Sequence, residues 1–262
     1  MKNKKVIAVA VVIVVVVVAI IVGVAVKMSH KQPEPASTPA PVSVSETEQE
    51  QEPGLTEIPV DFDTLQAQYP DVYAWIRIPG TDIDYPMVQA PEGEDDDYYL
   101  RKNLDGEKET AGTIYTQASL NSKDFTDNVT VIYGHNMRNN TMFGTLDLYE
   151  NEDHRQECST ILIYTPGKIY TYELAFAVTF SDQHIIYNYD CNYSPECYQD
   201  FLDALEASPY TPKWFNGEVE LTTDDKIIVL STCNSVDDQR YLVGAKLVSV
   251  EDGEYRGDNT SK

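Results

Sequence analysis

The sequence is short of positive charge. Lysine and arginine together number 19 against 43 aspartates and glutamates, a net of −24 in 262 residues. A nucleic-acid-binding face needs clustered cations to meet phosphates, so this balance argues against DNA or RNA as a partner. A basic peptide or a protonated amine would instead be drawn to such a chain. Cysteine is scarce as well. The four present, Cys158, Cys191, Cys197 and Cys233, include no Cys-x-x-Cys pair, which argues against a structural zinc site. They are also few for a disulfide-built fold, and a folded region of about 200 residues closes its core without staples. A Cys191–Cys197 bridge stays open on spacing alone. No internal repeat is evident. The acidic run "EGEDDD" at 92–97 lacks the glycine and the ligand spacing of a dedicated calcium loop and reads as a solvated loop. No motif calls for a cofactor or a metal.

What the chain does have, at its start, is one long apolar run. "MKNKK" precedes "VIAVAVVIVVVVVAIIVGVAV", residues 6–26, which holds no charge and no proline. At about 1.5 Å per residue such a helix spans roughly 31 Å, the thickness of a bilayer core. Lys2, Lys4 and Lys5 ahead of it favour a cytoplasmic N-terminus. A cleaved signal peptide is the competing reading, with Gly23-Val24-Ala25 as a cleavage site, but the run is long for a signal core. Residues 27–54 are rich in Pro, Glu, Ser and Thr and read as a disordered tether. Residues 55–252 are expected to form one domain, and 253–262 a polar tail. The tail's Arg256-Gly257-Asp258 is a short match to an integrin ligand that a polar tail produces by chance.

Within the domain, β-rich segments recur between turn signals. Eight are expected as strands: 73–78, 83–89, 112–116, 129–133, 160–165, 169–180, 226–232 and 240–250. Eight short strands with few helices predict a mainly β fold, a closed or nearly closed barrel. Three helices are expected: 61–69 capped by Asp61 or Asp63, a short one at 141–149, and 194–208. The last has Ser194 as N-cap, Pro195 in its first turn and an apolar stripe of Phe201, Leu202 and Leu205.

Chemistry gathers at strand ends. "KIIVLST" reads as a strand buried on both faces, and Cys233 follows it. The loop 234–239 leads to Arg240 at the start of the next strand. If the two pair as a hairpin, the guanidinium lies within reach of the thiol. In "VTVIYGHNM" a strand ends at Tyr133, Gly134 gives a sharp exit and His135 follows. Were this strand a parallel neighbour of the cysteine strand, His135 and Cys233 would share one rim. The three groups suffice for acyl transfer. The thiolate is the nucleophile, an imidazolium nearby favours it and later protonates a leaving amine, and a guanidinium stabilises an oxyanion. Taken singly, each residue also has an ordinary structural explanation: a small buried hydrophobe, a turn residue, a surface ion pair with Asp237 or Asp238. Cys197, in the first turn of the 194–208 helix, is a rival nucleophile. His154 and His184 sit in polar contexts and read as surface or loop residues.

The chain resembles the sortases, most closely class B. "YPDVYAWIRIPGTDIDYPMVQ", "YYLRKNLDGEKETAGTIYT", the histidine motif "VIYGHNMRNNTMFGTL" and the cysteine motif "VLSTC" with Arg240 carry the resemblance, and the helix ahead of the cysteine strand is similar to the one that marks class B. The resemblance implies an eight-stranded sortase barrel with Cys233 as nucleophile, His135 as general acid/base and Arg240 as oxyanion or substrate stabiliser. Ser231 and Tyr133 match substrate-contacting positions. It implies a membrane-anchored transpeptidase on a Gram-positive cell surface. Cys233 would cleave at the threonine of a C-terminal sorting signal on a secreted protein and pass it, through a thioester, to an amine of cell-wall peptide or a pilin. Where class B enzymes often carry an asparagine ahead of "YYL", this chain has Asp95-Asp96-Asp97, so the sorting motif itself is not implied. A peptidase that only hydrolyses and a non-catalytic surface-binding domain are the alternatives.

Overall fold

A computed structural model describes residues 55–233 and 238–257. The apolar run at 6–26, its flanking segments 1–5 and 27–54, and the end of the tail from Asp258 lie outside the described residues. Among the described residues no helix is long and apolar enough to cross a membrane.

Among the described residues, ten strands form one sheet. They are β1 (Thr56–Glu57), β2 (Val72–Arg77), β3 (Asp84–Val88), β4 (Ile114–Tyr115), β5 (Val129–Tyr133), β6 (Thr160–Thr165), β7 (Lys168–Ser181), β8 (Lys213–Phe215), β9 (Ile227–Cys233) and β10 (Gln239–Glu254). Pairing runs β10-β9-β5-β4-β3-β2-β6-β7, and β7 pairs back to β10, so eight strands close a barrel with no free edge. Those eight are the strands expected from the sequence. The remaining two are short attachments: β1 pairs with the far end of β10, and β8 with β7. Runs of two and three residues are too brief to leave a period in the sequence. β10 continues through Glu254, so the strand reaches into what reads as tail.

Side chains alternate between two cores. Ile132 of β5, Ile228 and Leu230 of β9, and Val243 of β10 fill the barrel interior. Val129 and Val131, Ile227 and Val229, and Leu242 face the other way, into a second apolar cluster. That cluster is capped by two helices, α3 (Ile185–Tyr189) and α4 (Pro195–Ala207), whose Ile185, Phe201 and Leu205 it buries. This double burial is why β9 reads as a continuous apolar run rather than an alternating one.

The helices follow their caps. α1 (Phe62–Gln68) starts at Asp61, whose carboxylate accepts from Thr64 N at 3.0 Å. α4 starts at Ser194, whose hydroxyl accepts from Cys197 N at 3.3 Å. Two short helices escape sequence reading: α2 (Glu152–Glu157), capped by Asn151, and α3, capped by His184. The helix expected at 141–149 does not form as such. Met142 has φ +56° and Asn140 φ +64°, left-handed values a helix cannot hold, and Met142 bridges back to Asn136. Only a 3₁₀ turn at Leu146–Glu150 remains of it.

Candidate active site

Two registers assemble the site. β5 and β9 are parallel with Tyr133 opposite Ser231, so His135 and Cys233, each two residues further on, leave the sheet at the same rim. β9 and β10 are antiparallel with Cys233 opposite Arg240. Directly opposed residues have Cβ atoms about 5 Å apart, so the guanidinium is within side-chain reach of the sulfur. Counting in twos, Ser231 and Cys233 share the side of β9 occupied by Ile227 and Val229, and Arg240 shares that of Leu242. A one-residue slip of β9 would turn Ser231 and Cys233 into the barrel.

The histidine loop is pinned to the end of β9. Gly134 N donates to Ser231 O at 3.3 Å, Thr232 Oγ1 donates to Gly134 O at 2.8 Å, and Asn136 Nδ2 donates to Cys233 O at 3.1 Å. Phe143 N donates to His135 O at 3.0 Å, which folds the 140–144 stretch over the loop. Position 134 has room for glycine alone: a Cβ there would stand 2.5 Å from Ile114 Cδ1 and 2.6 Å from Phe143 Cδ2. His135 is half-buried, and its Nε2 lies 2.8 Å from the Leu100 carbonyl. A carbonyl only accepts, so Nε2 carries the proton. Arg240 is half-buried and donates from Nη1 to Gln239 O at 3.1 Å.

These side chains line one cleft of about 270 Å³. Its walls include Leu100, Tyr115, Tyr133, Ser231, Cys233, Arg240 and Leu242, with Asp97 and Asp182 among the lining residues. Tyr115 and Tyr133 stack at 5.3 Å between ring centroids, and burial pushes both phenols up, so both stay neutral. Cys233 itself is exposed.

His184, which the sequence suggests is a surface or loop residue, is half-buried in the cleft wall. Its Nδ1 accepts from Tyr187 N at 3.3 Å as the cap of α3, and its Nε2 donates to Gln117 Oε1 at 2.7 Å. Burial lowers its pKa, with Asp96 opposing. The folded state thus favours neutral imidazole. Its contribution to stability is present above the unfolded histidine value of about 6.5 and is lost as pH falls through the folded value. The denaturant midpoint is therefore expected to fall between pH 7 and pH 5, and His184→Asn, which keeps an N-cap acceptor, is expected to shrink that fall. An unchanged pH dependence in the variant would show that His184 is not the titrating group.

A family model for the Sortase domain matches residues 76–248. The chain belongs to the sortase family. It is 32% identical to Sortase B of Listeria monocytogenes over 199 residues, 74% of this chain and 76% of the relative. Clostridium perfringens sortase B is structurally similar with a TM-score of 0.60 at 29% identity, covering 72% of this chain and all of that one. Staphylococcus aureus sortase B, solved as a complex with substrate, has a TM-score of 0.59 at 26% identity, covering 72% of this chain and 84% of that one. The relatives are class B, and this sortase is a cysteine transpeptidase with the closed eight-stranded barrel of its family.

The remaining candidates in this sortase lie elsewhere. Cys197 sits half-buried in the first turn of α4 and Cys191 is fully buried; both are free thiols. Burial pushes the Cys191 thiol up to about 12. Cys158 is buried with Nδ1 of His154 3.8 Å from its sulfur, and its thiol is likewise raised by burial. His154 is not a loop residue: it lies on α2, half-buried against the Tyr149 ring at 4.8 Å. In the acidic run, Asp96 is engaged by Ser119, whose N donates to it at 3.0 Å and whose hydroxyl donates too.

Proposed function

We propose that Cys233, His135 and Arg240 carry the transpeptidation, and that the enzyme works at the outer face of a cell membrane. The observation that supports this assignment is the pair of registers placing thiol, imidazole and guanidinium on one rim of one cleft. The sulfur attacks the threonine carbonyl of a C-terminal sorting signal. Arg240 donates to the oxyanion that forms, and His135 protonates the amine that leaves. The thioester is then attacked by an acceptor amine from cell-wall peptide or a pilin lysine. That amine returns a proton to His135, and the thiolate is expelled. Ser231 and Tyr133, both in the cleft wall, contact the sorting signal. That the S. aureus relative was solved as a complex with substrate supports substrate binding by this chain as well. Residues 6–26 anchor the enzyme with its N-terminus in the cytoplasm and 27–54 as tether; the length of the apolar run supports this. Protease added to intact cells is then expected to release the domain.

The catalytic assignment is tested by incubating the enzyme with sorting-signal peptides and an amine, and weighing the intact protein for a thioester on Cys233. Arg240→Ala is expected to lower kcat/KM by about 10²–10³, the usual loss for one oxyanion donor. Arg240→Lys should recover little, because an ammonium lacks the planar fork. Full activity in Arg240→Ala would remove the guanidinium from the mechanism.

A further inference from the structure

The acceptor for His135 Nε2 is a main-chain carbonyl, that of Leu100. Leu100 lies in a 3₁₀ turn, Tyr98–Arg101, between β3 and β4. The neighbouring carbonyls of the turn are tied to the segment leading into β4: Thr113 N donates to Tyr99 O at 3.1 Å, Glu109 N to Arg101 O at 3.0 Å, and Thr113 Oγ1 to Lys102 O at 2.8 Å. The carbonyl of residue 100 is given to the imidazole instead. From below, Tyr99 OH anchors the turn to Asp71 Oδ2 at 2.7 Å.

Gly112 packs directly on that carbonyl. A Cβ at 112 would stand 2.4 Å from Leu100 O and 2.8 Å from Tyr99 O, and the residue has φ +61°, a conformation that disfavours a side chain. Both obstacles are backbone atoms, so neither yields by rotating a side chain. An alanine would have to displace the carbonyl that His135 uses.

We infer that Leu100 O is the orienting partner of His135, and that Gly112 is the positioning residue that fixes it. Neutral imidazole has one N–H. With that proton committed to Leu100, Nδ1 holds the lone pair and is the atom that takes up and returns the proton during acyl transfer. In the imidazolium both nitrogens carry protons, the Leu100 bond persists, and the Nδ1 proton goes to the leaving amine. A carbonyl does for orientation what a carboxylate does in a triad, without adding a charge. Both strength and direction of the bond are then set by backbone geometry.

This inference rests on the assignment of proton transfer to His135, and the experiment separates the two. In ¹⁵N-histidine-labelled enzyme, at a pH where the imidazole is neutral, two-bond ¹H–¹⁵N correlations report which nitrogen of His135 is protonated; His135→Gln identifies the signal. The expected result is the Nε2–H tautomer in the wild type and loss of that single form in Gly112→Ala. Because a misplacement near 1 Å can cost on the order of 10²-fold, kcat of Gly112→Ala is expected to fall by about that much with KM little changed. Should Gly112→Ala fail to fold, Tyr99→Phe loosens the same turn without overlap and is expected to give the same pattern at about tenfold. An Nδ1–H tautomer in the wild type would overturn the inference, whatever the activity of His135 variants. So would wild-type kcat in folded Gly112→Ala or, where that variant does not fold, in Tyr99→Phe.

Discussion

Cys233→Ala is expected to abolish acyl transfer, a loss on the order of 10⁴-fold or more, while leaving the fold and peptide binding in place. The argument runs through access. Covalent catalysis needs a sulfur that a carbonyl carbon can approach, and Cys233 is exposed at the open end of β9 with Arg240 across the register. Cys158 and Cys191 are buried in the two apolar cores. Cys197 lies half-buried in the first turn of α4. None of these three lines the cleft that Cys233 lines. The side chain of residue 233 has no packing role, so removing its sulfur creates no cavity and the denaturant midpoint should hardly move. Cleavage of a sorting-signal peptide followed by chromatography, with intact-protein mass for the thioester, decides the matter. If Cys197→Ala were dead and Cys233→Ala active, the nucleophile would be the one in α4.

Much of this site could be read in the sequence because strands leave a period and strand ends leave polar residues. The apolar run before Cys233 and the one before Gly134 mark two buried strands, and residues just past the end of a buried strand emerge at a rim. The parallel pairing of β5 with β9 is not in either run; it rests on the barrel's strand order, a long-range property. The supports of His135 are less legible still. Leu100 contributes a backbone carbonyl, which every residue type has, so its identity carries no signal. Gly112 could have been suspected only as a turn glycine. His184 reads as a surface or loop residue because its neighbours in sequence are polar, yet its cap on α3 turns it into the cleft. The stretch 141–149 has helical composition, but its bonds to the histidine loop outweigh that weak preference.

His135→Ala should be nearly as damaging as loss of the thiol on a peptide substrate, about 10²–10⁴-fold in kcat/KM, and much less damaging on an ester of the same acyl group. The difference lies in the leaving group. An amide nitrogen must gain a proton before the tetrahedral intermediate can expel it as an amine, whereas an alkoxide with a good leaving tendency departs with little help. In the proposed mechanism Nδ1 of His135, left as the lone-pair nitrogen by the bond from Nε2 to Leu100, first takes the Cys233 thiol proton and then delivers it to the departing amine at the same rim. The ester therefore isolates attack and oxyanion stabilisation from leaving-group protonation. Arg240→Ala provides the contrast: the oxyanion forms with either substrate, so its loss should be similar for both. Equal losses for amide and ester in His135→Ala would mean that the imidazole acts before the intermediate, on the thiol alone, and not on the departing amine.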